Sequence, residues 1–287
     1  MARGRKPIIQ QPLTPRNVKA GIEFMKKTGQ PFKLVLQTYT SQIIGPEGKF
    51  LYMDKSHSFS MFAAFNKIRR DVLKFDAWAG NLIPDTRNAA YFEHKFTKDI
   101  FIPKVWNFDI NSAYLCALFQ CGMISQETYE YCKELKKADR LACVGMLASK
   151  KIIFNYNEFG QIEGDPELVN SETSKYFFWA VNYICDAMHE TARFIEVKNT
   201  FLFYWVDGIY CVPIEPEELF ESFIFANLKR DFGLDCKLKK LQAFKVKKIG
   251  KTFRVNYFKD GKPKQFAFNF DSELQKFKSE ILKLIQK

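Results

Sequence analysis

The sequence predicts an α+β fold in which an antiparallel sheet is backed by helices. Several short segments alternate apolar and polar residues as strands do, and other segments repeat apolar residues at helical spacing. The dipeptide Asp207-Gly208 between two very apolar runs is typical of a β-hairpin. Because 47% of the 287 residues are apolar, the chain can bury a real core, as one large domain or two modest ones.

The first part of the chain is predicted to form a basic arm, a hairpin and a helix. The arm includes a short helix near residues 18–27. Residues 33–44 alternate apolar and polar side chains and predict one strand, the Gly-Pro-Glu-Gly run at 45–48 predicts a turn, and 50–53 predicts the returning strand. Apolar residues at helical spacing predict a helix over 60–75.

The middle of the chain is predicted to mix short strands with helices. In chain order, the predicted elements are strands at 90–96 and 105–110, helices at 112–121 and 125–149, a strand at 152–156, a loop at 157–169 and a helix at 174–196. The second of these helices is expected to break near Lys137. The last has an apolar stripe on one face, which is typical of core packing.

The last part of the chain is predicted to contain a hairpin, a helix, three strands and a final helix. The elements are strands at 201–206 and 209–212, a helix at 216–232, strands at 241–247, 252–258 and 265–270, and a helix at 272–285. Asp207-Gly208 is the predicted turn of the hairpin, and residues 259–262 are the predicted turn between the last two strands.

Charge is distributed in three blocks along the chain. The formal net charge of +12 combines about +10 over residues 1–70, about −9 over 71–228 and about +11 over 229–287. Two basic flanks suit a polyanionic partner, and an acidic centre suits divalent cations. A generic basic protein with solvated lysines is the alternative that total charge alone leaves open.

Cysteine and histidine usage indicates a reducing environment and no zinc site. The seven cysteines are odd in number and form no Cys-x-x-Cys pair, and there are three histidines. We expect reduced cysteines that act as small apolar residues. No apolar window is long enough for a membrane span, and no apolar signal core follows the basic start, so a cytoplasmic location without membrane contact is expected.

Asp109 lies where an apolar strand is predicted to end and a helix to begin. A carboxylate there can point into a cleft, next to the backbone N–H groups of the helix N-terminus. The alternative is that Asp109, Asn111 or Ser112 caps the helix.

Asp207 lies at the predicted tip of a very apolar hairpin. A plain type I′ turn is the alternative, but a carboxylate buried by such neighbours needs a compensating cation. On adjacent elements of one sheet, Asp109 and Asp207 could hold two Mg²⁺ or Mn²⁺ ions about 4 Å apart. Mg²⁺ binds through few carboxylates and completes its octahedron with water and phosphate oxygens.

Two segments around these acids resemble motifs of the family B DNA polymerases. Residues 109–114, Asp-Ile-Asn-Ser-Ala-Tyr, are similar to motif A, Asp-x-x-Ser-Leu-Tyr, and the Asn before the Ser resembles the protein-primed branch. Residues 204–209, Tyr-Trp-Val-Asp-Gly-Ile, resemble motif C, Tyr-x-Asp-Thr-Asp-Ser-Ile, with one residue fewer. Asp207 then matches the second Asp of motif C, which is a metal ligand in the family.

Three weaker similarities follow in the same order and spacing as in the family. Residues 140–148 resemble motif B, Lys-x-x-x-Asn-Ser-x-Tyr-Gly, Ala192-Arg193 resembles the helix before motif C, and residues 250–253 resemble the Lys-x-Tyr element that contacts the primer duplex. The chain departs from the family where Trp205 replaces the first Asp of motif C. Val144 and Leu147 replace the Asn and Tyr of motif B.

The resemblance implies a role for each matching residue. Asp109, Asp207 and the Ile110 carbonyl would bind the metals, and Asp109 and Asp207 would be the catalytic residues. The implied nucleotide-binding residues are Ser112, Ala113, Tyr114, Lys136, Lys137 and Arg140, with Tyr114 at the steric gate that excludes a ribose 2′-hydroxyl. The implied nucleic-acid contacts are Lys245, Lys247, Lys248, Lys251 and Arg254, through phosphates and without sequence information.

The resemblance also implies an architecture. It spans residues 90–265 and implies a polymerase palm with short helical fingers and a small β-rich thumb. The expected domains are a basic N-terminal region at 1–89, a palm at 90–230 with a fingers insertion at about 116–150, and a basic thumb-like region at 231–287. The N-terminal region is too short and too poor in acids for the usual proofreading exonuclease.

The implied function is template-directed DNA synthesis, a nucleotidyltransferase reaction in DNA replication. The expected partners are a DNA primer-template and dNTPs, with a processivity or priming protein because the fingers are short. One alternative is a palm transferase that makes primers, extends ends without a template or copies RNA. Another is a non-catalytic nucleic-acid-binding subunit that keeps a palm scaffold, which the Trp205 substitution suggests.

Overall fold

The computed structural model describes residues 8–54, 58–75, 99–196, 200–249 and 252–269. Within these ranges the protein has two six-stranded sheets and seven α-helices, which confirms the α+β class. The chain divides into two compact units: unit 1 comprises residues 1–80 and 124–177, and unit 2 comprises residues 81–123 and 178–287. No helix in the described ranges is long and apolar enough to cross a membrane.

The helices and strands have the following bounds. The helices are α1 (Pro15–Lys27), α2 (Phe59–Lys74), α3 (Ala113–Gln120), α4 (Gln126–Lys133), α5 (Lys137–Gly145), α6 (Ser174–Glu196) and α7 (Glu217–Phe232). The strands are β1 (Ile8–Pro12), β2 (Phe32–Leu36), β3 (Thr40–Ile44), β4 (Lys49–Met53), β5 (Ile100–Ile110), β6 (Lys150–Tyr156), β7 (Ile162–Asn170), β8 (Phe201–Trp205), β9 (Gly208–Cys211), β10 (Cys236–Ile249), β11 (Thr252–Lys259) and β12 (Lys262–Asn269).

Unit 1 is built on a sheet in the order β1-β4-β3-β2-β6-β7. The β1–β4 pair is parallel and the other pairs are antiparallel. Helix α1 packs closely on this sheet at Gly21, where an added Cβ would lie 1.9 Å from the Tyr52 hydroxyl oxygen and 2.8 Å from Ile43 Cδ1. The absence of a side chain at this position therefore sets the distance between helix and sheet.

The sequence patterns predict most elements of unit 1 and fail at three, of which the first is β1, a strand within the predicted arm. Helices α4 and α5 confirm the predicted break near Lys137. Residues 33–44 form two strands rather than one, because Gln37 N–H donates to the Thr40 carbonyl at 2.9 Å and closes a turn that contains neither Gly nor Pro. The predicted loop at 157–169 is also wrong from residue 162 onward: β7 is an exposed edge strand, and it lacks the apolar alternation of a half-buried strand.

Asp71 joins the end of α2 to the start of α4 in unit 1. Its Oδ2 accepts hydrogen bonds from Thr128 Oγ1 at 2.6 Å, from Ser125 Oγ at 2.7 Å and from Ser125 N–H at 3.1 Å. Burial alone would raise the pKa of Asp71, but hydrogen bonds from Thr128, Ser125 and Arg70 lower it to about 2. The ionised carboxylate is therefore the form that stabilises the packing of α2 against α4.

Acid should weaken this contact within a defined pH window. Because the folded-state pKa of Asp71 lies below the usual value of 3.8, its contribution is fully present above about pH 4 and is lost as the pH falls towards 2. We expect Asp71→Asn to lower the free energy of unfolding by on the order of 2 kcal/mol at neutral pH, and by less at pH 2. Thermal unfolding across pH 2–7 checks this, and an equal loss at both ends of the range would contradict it.

Unit 2 is built on a sheet in the order β12-β11-β10-β5-β9-β8, with β5 near its centre. Trp106 and Phe108 of β5 pack against α7: the Trp106 ring stacks on the Phe220 ring at 5.9 Å, and the Phe108 ring meets the Phe225 ring edge-on at 5.7 Å. Helix α7 therefore covers one face of the central strand, and Asp109, with the alternate parity, lies on the opposite face.

Two strands of unit 2 begin five residues earlier than the sequence predicts. Strand β5 begins at residue 100 instead of 105, and β10 begins at residue 236 instead of 241. The early part of β10 is rich in lysine, so its alternation is charged rather than apolar, and its pairing with β5 decides its length. The strand predicted at 90–96 and the helix predicted at 272–285 lie outside the described residues.

Candidate metal centre

Asp109 and Asp207, far apart in the sequence, are neighbours in the sheet of unit 2. Strands β5 and β9 pair in antiparallel fashion, and Asp109 and Gly208 are direct Cα partners in that pairing. The Ile110 N–H donates to the Asp207 carbonyl oxygen at 2.8 Å, which extends the pairing to the residue before β9. The sheet therefore brings together the two acids predicted from the sequence, at the place where β5 ends and β9 begins.

The β8–β9 hairpin that presents Asp207 turns one residue earlier than predicted. Trp205 pairs with Gly208, so the two-residue loop is Val206-Asp207 and not Asp207-Gly208. Val206 has a positive φ of 55°, whereas Asp207 is not among the positive-φ residues, so the alternative of a plain type I′ turn is excluded. Gly208 lies in β9 instead, where an added Cβ would be 2.8 Å from Nδ2 of the buried Asn107. That close approach explains the glycine.

Val206 holds a strained backbone conformation directly before Asp207. A β-branched residue in the left-handed region is an outlier that typically costs 1–3 kcal/mol, and such strain concentrates at functional sites. Asparagine tolerates this region, so we expect Val206→Asn to raise the free energy of unfolding by about 1 kcal/mol. Val206→Ile keeps the β-branch and serves as the control without a gain. Thermal unfolding of both variants tests this, and a stability loss in Val206→Asn would show that the Val206 contacts outweigh the strain.

The geometry at the start of α3 excludes the alternative that Asp109 only caps this helix. The N-cap residue of α3 is Ser112, in the left-handed region with φ of 52°, and it makes no side-chain capping hydrogen bond. The Asn111 N–H instead donates to the Asp235 carbonyl at 2.8 Å. Asp109 Oδ2 forms an ion pair with Lys239 Nζ at 2.7 Å. The carboxylate of Asp109 is thus directed towards β10 and not towards the helix.

The charges of the two carboxylates affect the pKa values of two nearby tyrosines. Burial raises the pKa of Tyr210, and Tyr257, Asp109 and Asp207 raise it further. Burial also raises the pKa of Tyr114, in the first turn of α3, followed by the charges of Asp207 and Cys185. Both phenols therefore stay protonated, with Tyr210 in the field of both carboxylates and Tyr114 in that of Asp207.

Lys239 is a member of the site that the sequence patterns did not identify. Lys237 is the direct partner of Asp109 across β10–β5, and Lys239 is its diagonal neighbour on the same face. The Lys239 and Asp109 side chains are 32% and 28% exposed, so the pair is only partly screened by solvent. The signal was present as lysines spaced two apart, but it is informative only once the strand is known to start at Cys236.

The donor set at this site fits Mg²⁺ or Mn²⁺ better than zinc. Within the described ranges no group of three or more His, Cys, Asp or Glu residues is arranged to hold a metal ion. Mg²⁺ commonly uses one or two carboxylates together with water and substrate phosphates, which the pair Asp109 and Asp207 matches in ligand type. Asp109 already attracts a cationic group, the Lys239 ammonium. Ile110 is 2% exposed beside both acids, and its carbonyl as a ligand stays a prediction.

The residues predicted to bind the nucleotide fall into both units. Ala113 is buried and Ser112 is half-buried at the start of α3 in unit 2, next to Tyr114. The other three belong to unit 1: Lys136 and Lys137 are exposed at the start of α5, and Arg140 Nη1 donates to the Lys133 and Leu135 carbonyls at 2.8 and 3.3 Å. Arg140 therefore closes the C-terminal end of α4, in addition to any role in binding phosphate.

The residues predicted to bind nucleic acid lie on β10 and β11. Lys245, Lys247, Lys248 and Arg254 are all exposed. Lys247 and Arg254 are direct partners across the two strands, whereas Lys248 pairs with Phe253 and so lies on the opposite face of the sheet. Lys251 lies outside the described residues.

Comparison with known proteins adds no family assignment. No protein-family model matches the sequence, and a search of curated proteins finds no match.

Proposed function

We propose that this protein is a template-directed DNA polymerase that adds dNTPs to a primer 3′-hydroxyl by two-metal catalysis. The main support is the pairing of β5 with β9, which makes the acids of the motif A-like and motif C-like segments neighbours. The resemblance of these segments to family B polymerases supplies the reaction type. The basic β10–β12 strands and the acidic middle of the sequence are consistent with a polyanionic substrate and divalent cations.

The chain's own groups have distinct tasks in the proposed reaction. Bound Mg²⁺ or Mn²⁺ ions would supply activation of the 3′-hydroxyl and neutralisation of the triphosphate and the leaving pyrophosphate. Asp109 and Asp207 would hold the cations where β5 pairs with β9. Tyr114, whose phenol is kept protonated by burial and then by the charge of Asp207, which raise its pKa, would stack under the sugar of the incoming nucleotide, as the resemblance implies.

The proposed architecture assigns regions of the structure to polymerase parts. Strands β5, β8 and β9 of the unit 2 sheet, with the helices of that unit, are the proposed palm, and the short helices α4 and α5 are the proposed fingers. Strands β10–β12 of the same sheet are the proposed thumb-like region. Helices of eight and nine residues make small fingers, so low processivity without a partner protein is part of the proposal.

One observation favours a second candidate, a non-catalytic nucleic-acid-binding subunit. The Lys239 ammonium lies on Asp109, where a catalytic cation would bind, and Trp205 occupies the position of the first motif C acid. A protein that lost catalysis would keep such a permanent ion pair, whereas a polymerase must release it when metal binds. Primer-making, template-independent or RNA-copying activity remains a variant of the first proposal, because the motif B-like segment differs from the family.

Primer extension separates these candidates. We expect the purified chain to extend a labelled DNA primer on a DNA template with Mg²⁺ or Mn²⁺ and dNTPs, and to add little without a template. Equal extension on RNA, or extension without a template, would assign the specialised transferase. Intact DNA binding with no incorporation under either metal would assign the non-catalytic subunit.

A further inference from the structure

The charged residues of the three strands β10, β11 and β12 all have one sign. These strands contain ten lysines or arginines, six on β10, two on β11 and two on β12, and no aspartate or glutamate. Strands whose charged residues are all basic attract polyanions. The arrangement of their aromatic residues indicates which kind of polyanion they suit.

Strands β10–β12 form a three-stranded ribbon beside β5. One face of this ribbon, with the adjoining part of β5, combines basic and aromatic side chains in ordered rows. Phe101 of β5 and Asn256 of β11 are both direct partners of Lys245, so the three side chains form one row across the sheet. Lys247 and Arg254 form the next row, two residues along the strands, about 7 Å away. Phe258 lies two residues beyond Asn256 on the same face. We call the outer face of the ribbon the set Phe101, Lys245, Lys247, Arg254, Asn256 and Phe258.

The aromatic rings of the outer face are open to solvent. Phe101 is 57% exposed and Phe258 is 44% exposed, although their neighbours on the opposite face, such as Val246 and Val255, are buried. Lys245 Nζ lies 5.5 Å from the Phe101 ring centroid, so a cation accompanies the exposed ring. Exposed rings interleaved with cations are the elements of a base-stacking platform with phosphate contacts.

A groove lies where the outer face meets the bulge of β10. The register of β10 with β11 shifts between Gln242 and Lys245, and Ala243 within it has a positive φ of 47°. The groove has a volume of about 420 Å³, and its lining includes Lys245, Asn256, Phe258 and Gln265. Its polar amide groups and basic side chain can contact an unpaired base and its phosphate.

We propose that the outer face binds single-stranded nucleic acid, with bases stacked on Phe101 and Phe258 and phosphates on Lys245, Lys247 and Arg254. A duplex keeps its bases stacked on each other and offers its phosphates, whereas only a single strand offers free base faces to exposed rings. This inference rests on the proposed function, since the bound strand is then the unpaired template. It also extends that function, because it states that this surface prefers single-stranded nucleic acid to a duplex.

Oligonucleotide binding tests the inference without any catalytic step. Fluorescence anisotropy of labelled oligo-dT and of a duplex, without metal or dNTP, should show tighter binding of the single strand. Phe101→Ala should weaken single-strand binding about tenfold, as the loss of one stacked base does, and leave the salt slope unchanged. Lys247→Gln and Arg254→Gln should each reduce the slope of log K against log salt by about 0.7.

Matched variants and a separate readout make the outcomes decisive. Phe59 of unit 1 is 86% exposed and lies outside the outer face, so Phe59→Ala should leave binding unchanged. Tighter binding of the duplex than of the single strand, or wild-type affinity in Phe101→Ala, would overturn the inference. Neither result bears on incorporation, so failure of this surface and failure of the proposed polymerase activity are distinguishable.

Discussion

Replacing either acid of the candidate centre with asparagine is expected to reduce metal-dependent dNTP incorporation by a factor on the order of 10³ or more. Asparagine keeps the shape of aspartate and removes one negative charge. Because the described residues near the centre provide two carboxylates and no third ligand group, Asp207→Asn or Asp109→Asn leaves one carboxylate to hold the cations. Single-turnover primer extension at saturating Mg²⁺ and Mn²⁺ measures the effect.

The matched control for this experiment is an acid of the same unit away from the centre. Asp231 is exposed on α7 and pairs with the adjacent Arg230 at 2.6 Å, so Asp231→Asn should keep full incorporation. Thermal unfolding should show both site variants to be folded. Incorporation within tenfold of wild type in Asp207→Asn would remove Asp207 from the metal site and, with it, the two-metal proposal.

Local patterns predict the site better than they predict its details. Asp109 lies near the end of the apolar strand β5, and Asp207 lies in the turn between the apolar strands β8 and β9, so the apolar patterns predict that both acids lie where strands end. The antiparallel pairing of β5 with β9 then makes the two acids neighbours. The hairpin register does not follow in the same way. Asp-Gly is a strong turn signal, but the side chain of Asn107 requires Gly208 inside the strand, and only the three-dimensional packing reveals this.

Non-local pairing explains the other differences between prediction and structure. Strand β10 follows β9 in the sequence but pairs with β5, which extends it over Lys237 and Lys239 although these residues lack apolar alternation. Strand β7 is likewise stabilised by pairing with β6 alone, with both faces exposed. Helices are predicted more reliably, because their period appears within one segment: α6 has the bounds 174–196 that its apolar spacing predicts.

Removing the charge of Lys239 is expected to tighten Mn²⁺ binding to the metal-free protein about tenfold. The Lys239 ammonium lies 2.7 Å from Asp109 Oδ2, so a divalent cation that binds this carboxylate must displace the ammonium or tolerate its positive charge nearby. Unit charges 4 Å apart interact by about 4 kcal/mol near a protein surface, and partial solvent exposure reduces this towards the 1.4 kcal/mol that gives a tenfold change. Lys239→Met removes the charge and keeps the length of the side chain. Free Mn²⁺ measured by electron paramagnetic resonance during a titration gives the dissociation constant without any catalytic step.

The control and the opposite outcome give this experiment its meaning. Lys239→Arg keeps the positive charge, so its Mn²⁺ affinity should stay close to that of the wild type, whereas Asp109→Asn should weaken binding whichever residue occupies position 239. If Lys239→Met weakens Mn²⁺ binding instead, the ammonium orients the Asp109 carboxylate for the metal and does not compete with it. Tighter Mn²⁺ binding by Lys239→Met would show that the cation and the Lys239 ammonium compete for the Asp109 carboxylate. The ion pair is then reversible, as a catalytic centre requires. The β5–β9 pairing already holds Asp109 beside Asp207, so a cation can take the place of the ammonium there.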